Sequence, residues 1–116
     1  MTAPAPPAGG NLFDGCPGTG EGEHFETLFA NPALRIERIV SHGHPSPAGF
    51  WYDQDDDEWV ILMAGRAELA FADGRTLALQ AGDWVSLPAH CRHRVESVSA
   101  DAVWLAVHCC AGGGKP

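Results

Sequence analysis

Two stretches, residues 49–65 (GFWYDQDDDEWVILMAG) and residues 82–95 (GDWVSLPAHCRHRV), decide how this chain is read. Each carries a residue type that can bind a metal on a predicted strand, Glu58 in the first and His93 in the second. Glycine or proline punctuates both: Gly49 and Gly65 bracket the first, and Gly82 and Pro88 open the second. The run after Glu58 is continuously apolar as far as Ala64, which reads as a strand buried on both faces.

Working outward, short strands recur with turn residues between them. Residues 33–40 (ALRIERIV) alternate Leu34 and Ile36 against Arg35 and Glu37. Residues 49–53 form a short aromatic segment. Residues 67–71 alternate, Asp73-Gly74 signals a hairpin, and residues 76–79 pair back. Residues 84–87, 92–98 and 103–107 complete the set. This spacing predicts an all-β sandwich or barrel. Residues 23–30 (EHFETLFA) fit either a helical turn or a first strand ending at Asn31-Pro32. Residues 1–22, rich in Pro, Gly and Ala, read as a flexible tail, residues 23–110 as the domain, and residues 111–116 as a second frayed end.

Composition limits the partners. The chain has 116 residues, enough for one domain with one core, and 45% of them are apolar. Seven Lys and Arg against fifteen Asp and Glu give a net charge of −8, which argues against nucleic acid and anionic membrane surfaces. The first fifteen residues have neither the basic nor the apolar region of a secretory signal, and no apolar run is long enough to span a bilayer. The expectation is a cytoplasmic protein whose four cysteines, Cys16, Cys91, Cys109 and Cys110, are reduced thiols without CxxC spacing.

The offsets of Glu58, Gly65, Gly82, Pro88 and His93 resemble the two motifs of the cupin superfamily over roughly residues 34–108. The first family motif places two His one residue apart, a short spacer, Glu, six residues and Gly. The second places Gly, five residues, Pro, a short turn and His. The resemblance implies a small cupin-type β-barrel or jelly roll with a small-molecule site inside it, and a homodimer. It also implies a divalent metal, Fe, Mn, Ni, Cu or Zn, since imidazole and carboxylate suit these ions.

This sequence departs from the pattern at the two His positions. With a three-residue spacer, Asp55 to Asp57, they are Tyr52 and Gln54; with four residues they are Trp51 and Asp53. The first register is preferred, because Gln54 is a candidate ligand and residues two apart on a strand share a face. The expected metal set is then Gln54, Glu58 and His93, with Tyr52 donating a proton or orienting substrate. His90 is also unusual, standing where the family often has Gly.

Other metal-like patterns are weaker. The acidic run 53–58 lacks the Gly and the terminal Glu of a calcium loop and reads as a solvated turn. His42 and His44 flank Gly43 in a turn before Pro45. His108, Cys109 and Cys110 end the last strand without supporting spacing. If Glu58 faces inward, Trp59 and Met63 face outward, and Trp51, Trp84 and Trp104 are read with them as a face for a second sheet or subunit, the alternative being that these aromatics are ordinary core. Two functions follow: a metal-dependent enzyme of oxygenase, isomerase or lyase type, or a non-catalytic ligand-binding or sensor module on the same barrel.

Overall fold

The computed structural model describes residues 5–16 and 22–109. Among them eight strands form two antiparallel sheets: β1 (Glu23–Ala30), β2 (Leu34–Ser41), β3 (Asp57–Ala64), β4 (Arg66–Phe71), β5 (Thr76–Gln80), β6 (Trp84–Leu87), β7 (His93–Val98) and β8 (Val103–Cys109). The larger sheet runs β1-β2-β8-β3-β6 and the smaller β5-β4-β7. The expected all-β cupin-type jelly roll is the architecture observed. No helix among the described residues is long and apolar enough to cross a membrane.

Turn chemistry makes the frame. The hairpin between β4 and β5 closes with Phe71 N–H on the Arg75 carbonyl at 2.9 Å, and Gly74 takes φ +96° at its tip. Gly65 joins β3 to β4 at φ +86°, and a Cβ there would lie 2.8 Å from the Ala102 Cα and 2.5 Å from Ser99 Oγ. Only glycine combines that backbone with that approach. His90 has a positive φ too, 62°, so the family's Gly position keeps its left-handed turn with a side chain added.

Residues 23–30 resolve as a strand, β1, paired with β2 through a bulge between Thr27 and Phe29. Residues 49–53 are not a strand; Tyr52 alone makes a bridge to His93. β3 is not buried on both faces. Glu58, Val60 and Leu62 are buried, whereas Trp59 is 36% exposed and Ile61 and Met63 are half-buried. On the outer side of this sheet the Trp59 ring lies 5.9 Å from the Trp84 ring, centre to centre. Trp84 is itself exposed, as the sequence suggests, but Trp104 is not an outward residue. It is 3% exposed and packs in the core with Leu62, Leu69, Leu87 and Val95, because its place on β8 shares the inner face with Ala106.

β2 also differs from its reading. The alternation of Leu34 and Ile36 with Arg35 and Glu37 suggests that the apolar pair faces inward. Instead Arg35, Glu37 and Ile39 line the interior cavity. On the other face Arg38 is buried, donating to the carbonyls of Leu12 and Asp14 and pairing with Glu26. The Leu12 and Asp14 carbonyls thus tie residues from the Pro-rich N-terminal stretch to β2.

Candidate functional site

Register brings the site together. Across the larger sheet, Arg35 pairs with His108, and His108 pairs with Glu58. Residues directly opposite on neighbouring strands share a face, so these three side chains form one inward row. Two residues along, Glu37, Ala106 and Val60 make the next row, and further on Ile39, Trp104 and Leu62 make a third. β1 contributes Glu23 and Phe25 to the same face, opposite Ser41 and Ile39. The smaller sheet contributes His93, Val95 and Leu69. The result is a cavity of about 230 Å³ lined by both apolar and polar side chains.

His93 is buried and its Nδ1 lies 2.8 Å from the Cys91 carbonyl oxygen. A carbonyl only accepts, so Nδ1 carries the proton and Nε2 keeps a bare lone pair. Burial holds this imidazole below its ordinary range, so the neutral form persists. Tyr52 stacks on the ring at 5.3 Å and 21° between planes, and Phe50 meets Tyr52 edge-on at 4.8 Å.

Glu58 is 7% exposed. Burial first, then the charges of Glu37 and Glu23, push its carboxyl up to about 7, against a weaker lowering by Arg35. Its neighbour His108 places Nε2 at 3.9 Å from Glu58 and at 2.9 Å from Glu37. Because the carboxylate accepts, His108 Nε2 carries its proton, and Nδ1 is left buried without a partner.

A second network surrounds Glu23. Tyr52 Oη donates to Glu23 Oε1 at 2.7 Å and Ser41 Oγ donates to Oε2 at 3.2 Å. Trp104 Nε1 donates to Ser41 Oγ at 3.1 Å, leaving the serine hydrogen free for the carboxylate. Burial and the Glu23 charge together raise the Tyr52 phenol above its ordinary range.

Tyr52, Gln54, Glu58 and His93 therefore all line one cavity. The alternative pair does not. Trp51 lies under the Arg92 guanidinium at 5.7 Å, and Asp53 accepts from His90 Nδ1 at 2.7 Å. His42 contacts the Gly22 carbonyl at 3.3 Å, and His44 is exposed in its turn. Asp55 and Asp57 are exposed, and Asp57 caps the turn by accepting from the Ala89 amide at 2.8 Å. His108 turns into the cavity while Cys109 is exposed, so the two do not act as one site; Cys110 lies outside the described residues.

Residues 37–108 match the family model for the cupin domain, more than half of the chain. The chain is a cupin. A structure from Ralstonia eutropha JMP134, named a "putative mannose-6-phosphate isomerase", is similar at 45% identity and a TM-score of 0.84, with 90% of this cupin and all of that chain covered. An RmlC-like cupin from Desulfovibrio desulfuricans (13% identity, TM-score 0.73, 88% and 95% covered) and KdgF from Halomonas sp. (17%, 0.66, 78% and 82%) share the fold. No curated protein matches the chain.

The cupin fold commonly carries a divalent metal, so the donors need testing against one. Tyr52 commits its hydroxyl to Glu23 and resists ionisation, so it offers no anionic oxygen. Gln54 offers one neutral amide oxygen. Among the described residues, no three His, Cys, Asp or Glu side chains converge as a metal-binding group. Gln54, Glu58 and His93 supply one amide, one carboxyl and one imidazole, short of the His-rich set that borderline ions favour, while His108 and Glu37 on the same lining are paired with each other at 2.9 Å and Glu23 is held by Tyr52. These donors do not fit the family's usual ion, and no step below is routed through one.

Glu23, Arg35, Glu37 and His108 escape a motif-based reading of this cupin. Glu23 and Glu37 look like solvent-facing strand residues until the register is known. The usable signal was His108 itself, a histidine closing an otherwise apolar strand.

Proposed function

We propose that this cupin is an enzyme that holds a small organic molecule in the cavity and moves a proton on it, in the manner of an isomerase. The observation that carries the reading is that His93 and Glu58 line one cavity. A bare imidazole nitrogen and a carboxyl that titrates near 7 line the same cavity. Burial lowers the imidazole from its ordinary range and raises the carboxyl to about 7, which favours an unprotonated base beside an acid that retains a proton, an arrangement suited to acid–base catalysis.

In this mechanism His93 Nε2 accepts a proton from a carbon made acidic by a neighbouring carbonyl. The Cys91 carbonyl holds the imidazole in the required tautomer and steadies the imidazolium as it forms. Glu58, protonated, donates to the carbonyl oxygen as charge develops there; its carboxylate then takes the proton of the hydroxyl on the carbon that was deprotonated, while the His93 imidazolium gives its proton to the former carbonyl carbon, which restores both groups. Tyr52 acts as a positioning residue: its ring fixes the plane of His93 and its hydroxyl fixes Glu23. Gln54 supplies an amide for substrate hydroxyls. The similar Ralstonia eutropha structure is named a "putative mannose-6-phosphate isomerase", a name in keeping with this class of chemistry.

The test is proton exchange. Purified protein is incubated in D₂O with small hydroxy- and amino-carbonyl compounds, and deuterium uptake at carbon is followed by NMR. Uptake should occur with the wild type and fall about a hundredfold or more in His93→Gln and Glu58→Gln, the range expected of a general acid or base. Uptake that survives both substitutions refutes the assignment. Elemental analysis belongs beside it. A stoichiometric divalent ion in tag-free protein, lost in Gln54→Ala, Glu58→Gln and His93→Gln, would replace this reading with a metal-centred one on those residues.

A further inference from the structure

We infer that the outer face of the larger sheet is the surface on which two copies of this chain meet, through an apolar strip that runs from Phe29 to Trp84. The inference concerns the side of the sheet away from the cavity and does not rest on the proton-transfer reading.

Register builds the strip. Phe29 pairs with Ile36, Ile36 with Val107, and Val107 with Trp59, so four strands set one apolar row on the face opposite Glu58. Ile61 stands two residues beyond Trp59 and pairs with Trp84 on the edge strand β6. Phe29 is 53% exposed, Trp84 59% and Trp59 36%, while Ile36, Val107 and Ile61 are half-buried. Single exposed apolar residues are ordinary; six in adjoining rows of one sheet mark a surface for contact. Glu58 and Trp59 are consecutive on β3 and point to opposite faces, so the contact leaves each cavity open.

The occupant follows from sequence, area and charge. The stretches that lie outside the described residues, 1–4 (MTAP), 17–21 (PGTGE) and 110–116 (CAGGGKP), contain no aromatic residue and no Leu, Ile or Val. They have little to lay against three aromatic rings, so the cover comes from another chain. Aromatic side chains carry roughly 150–250 Å² each, which leaves about 300 Å² uncovered on Phe29, Trp59 and Trp84. The half-buried aliphatic residues raise the strip to about 450 Å². A homodimer interface of standard size buries about 800 Å² per subunit, roughly 65% of it apolar, and the strip supplies most of that apolar share.

Charge favours a second copy meeting here and nowhere else on the sheet. Each chain carries −8, so two copies repel wherever their charged surfaces approach. None of the six strip residues is charged, and in the next row Arg38 and Glu26 neutralise each other in an ion pair. The strip is also its own complement. A two-fold axis lying along β8 sets Val107 against itself, Ile36 against the partner's Trp59 and Phe29 beside the partner's Trp84. That is the isologous contact that closes a dimer.

Sedimentation equilibrium of the whole protein from about 0.5 to 200 µM tests this, with a dimer expected to hold into the low micromolar range. Trp84→Glu and, separately, Phe29→Glu place a charge at either end of the strip on side chains already exposed. Each should weaken dimerisation at least about a hundredfold with an unchanged circular dichroism spectrum. Ala78→Glu, exposed on the smaller sheet, should leave the dimer intact. The wild type alone supplies a second reading: dilution through the transition should raise acrylamide quenching of tryptophan fluorescence as Trp59 and Trp84 open to solvent. A wild type that stays monomeric at every concentration overturns the inference, and a monomer that dimerises once residues 110–116 are deleted gives the strip to the chain's own tail and overturns it too. A dimer that both substitutions leave intact, or quenching that stays constant while the dimer dissociates, puts the contact on another surface and overturns it as well.

Discussion

Glu58 should cost the wild-type protein stability, relative to its glutamine variant, as pH rises, and the size of the effect can be worked out. In the unfolded chain the carboxyl titrates near its ordinary 4.5; in the folded protein burial and the nearby Glu37 and Glu23 hold it up to about 7. The folded state therefore keeps its proton while the unfolded state loses it. A raised acid contributes stability that is complete below 4.5, declines as pH rises between 4.5 and 7, and is gone above 7. Over a span of about 2.5 pH units, at about 1.4 kcal/mol each, the loss is about 3 kcal/mol. Glu58 is 7% exposed, so solvent screening removes little of this. The assay is urea unfolding of wild type and Glu58→Gln at half-unit steps from pH 4.5 to 8.5. Shared titrations cancel in the difference between the two proteins. That difference should move in favour of the glutamine variant by about 3 kcal/mol and level off above pH 7. Parallel profiles, with a difference that stays constant within about 0.5 kcal/mol, would refute a carboxyl held up by the fold and remove the acid from the proposed mechanism.

Other predictions follow from single contacts. Gly65→Ala should destabilise by about 3 kcal/mol, since a Cβ at φ +86° meets the Ala102 Cα at 2.8 Å, whereas Gly74→Ala, with nothing within 4 Å, should show only the backbone cost of about 1 kcal/mol; equal melting shifts would show that the close approach is absent. Tyr52→Phe removes the donor to Glu23 while keeping the ring on His93, and should cost about 2 kcal/mol in urea unfolding. In a Glu23→Gln background the same change should cost less, and a double-mutant cycle with no coupling would disprove the link. The His90 imidazole is held above its ordinary range by its hydrogen bond to Asp53, so its tie to the acidic turn is present below 6.5 and fades as pH rises through the raised value. The stability gap between wild type and His90→Asn should narrow with rising pH, and a gap that widens would contradict the pairing.

Much of the frame was legible because it depends on local chemistry. The Asp73-Gly74 turn, Gly65 and the Gly82–Pro88 spacing each place a backbone conformation that few residues tolerate, and each stands where the sequence reading put it. β1 was ambiguous because most of it is exposed. Seven of its eight residues face solvent to a large degree, so no alternation of buried and exposed positions marks it as a strand. Trp104 stood open between an outward face and the core for a related reason. An aromatic residue on a strand is apolar whichever way it points, and only pairing with Ile39 and Leu62 shows that it points inward.

The site was half legible, and the missing half has one physical cause. Periodicity arguments assume that the inward face of a strand is apolar. Along β2 that assumption selects Leu34 and Ile36 for the core and sends Arg35 and Glu37 to solvent. A concave sheet around a polar cavity inverts the rule, because there the inward face must carry the groups that meet a ligand. The inversion becomes visible only through register. Once His108 is set opposite both Arg35 and Glu58, the three cannot lie on different faces, and Glu37, two residues from Arg35, must follow. His108 then reaches Glu37 across 71 positions of sequence at 2.9 Å, a contact no local motif encodes. Polar residues in strand alternation are thus the place to look when a cupin has lost its first-motif histidines. In this chain they put Glu23, Glu37 and Glu58 on one cavity lining with His93 and His108, a set of proton-transfer groups that the motif offsets alone do not reveal.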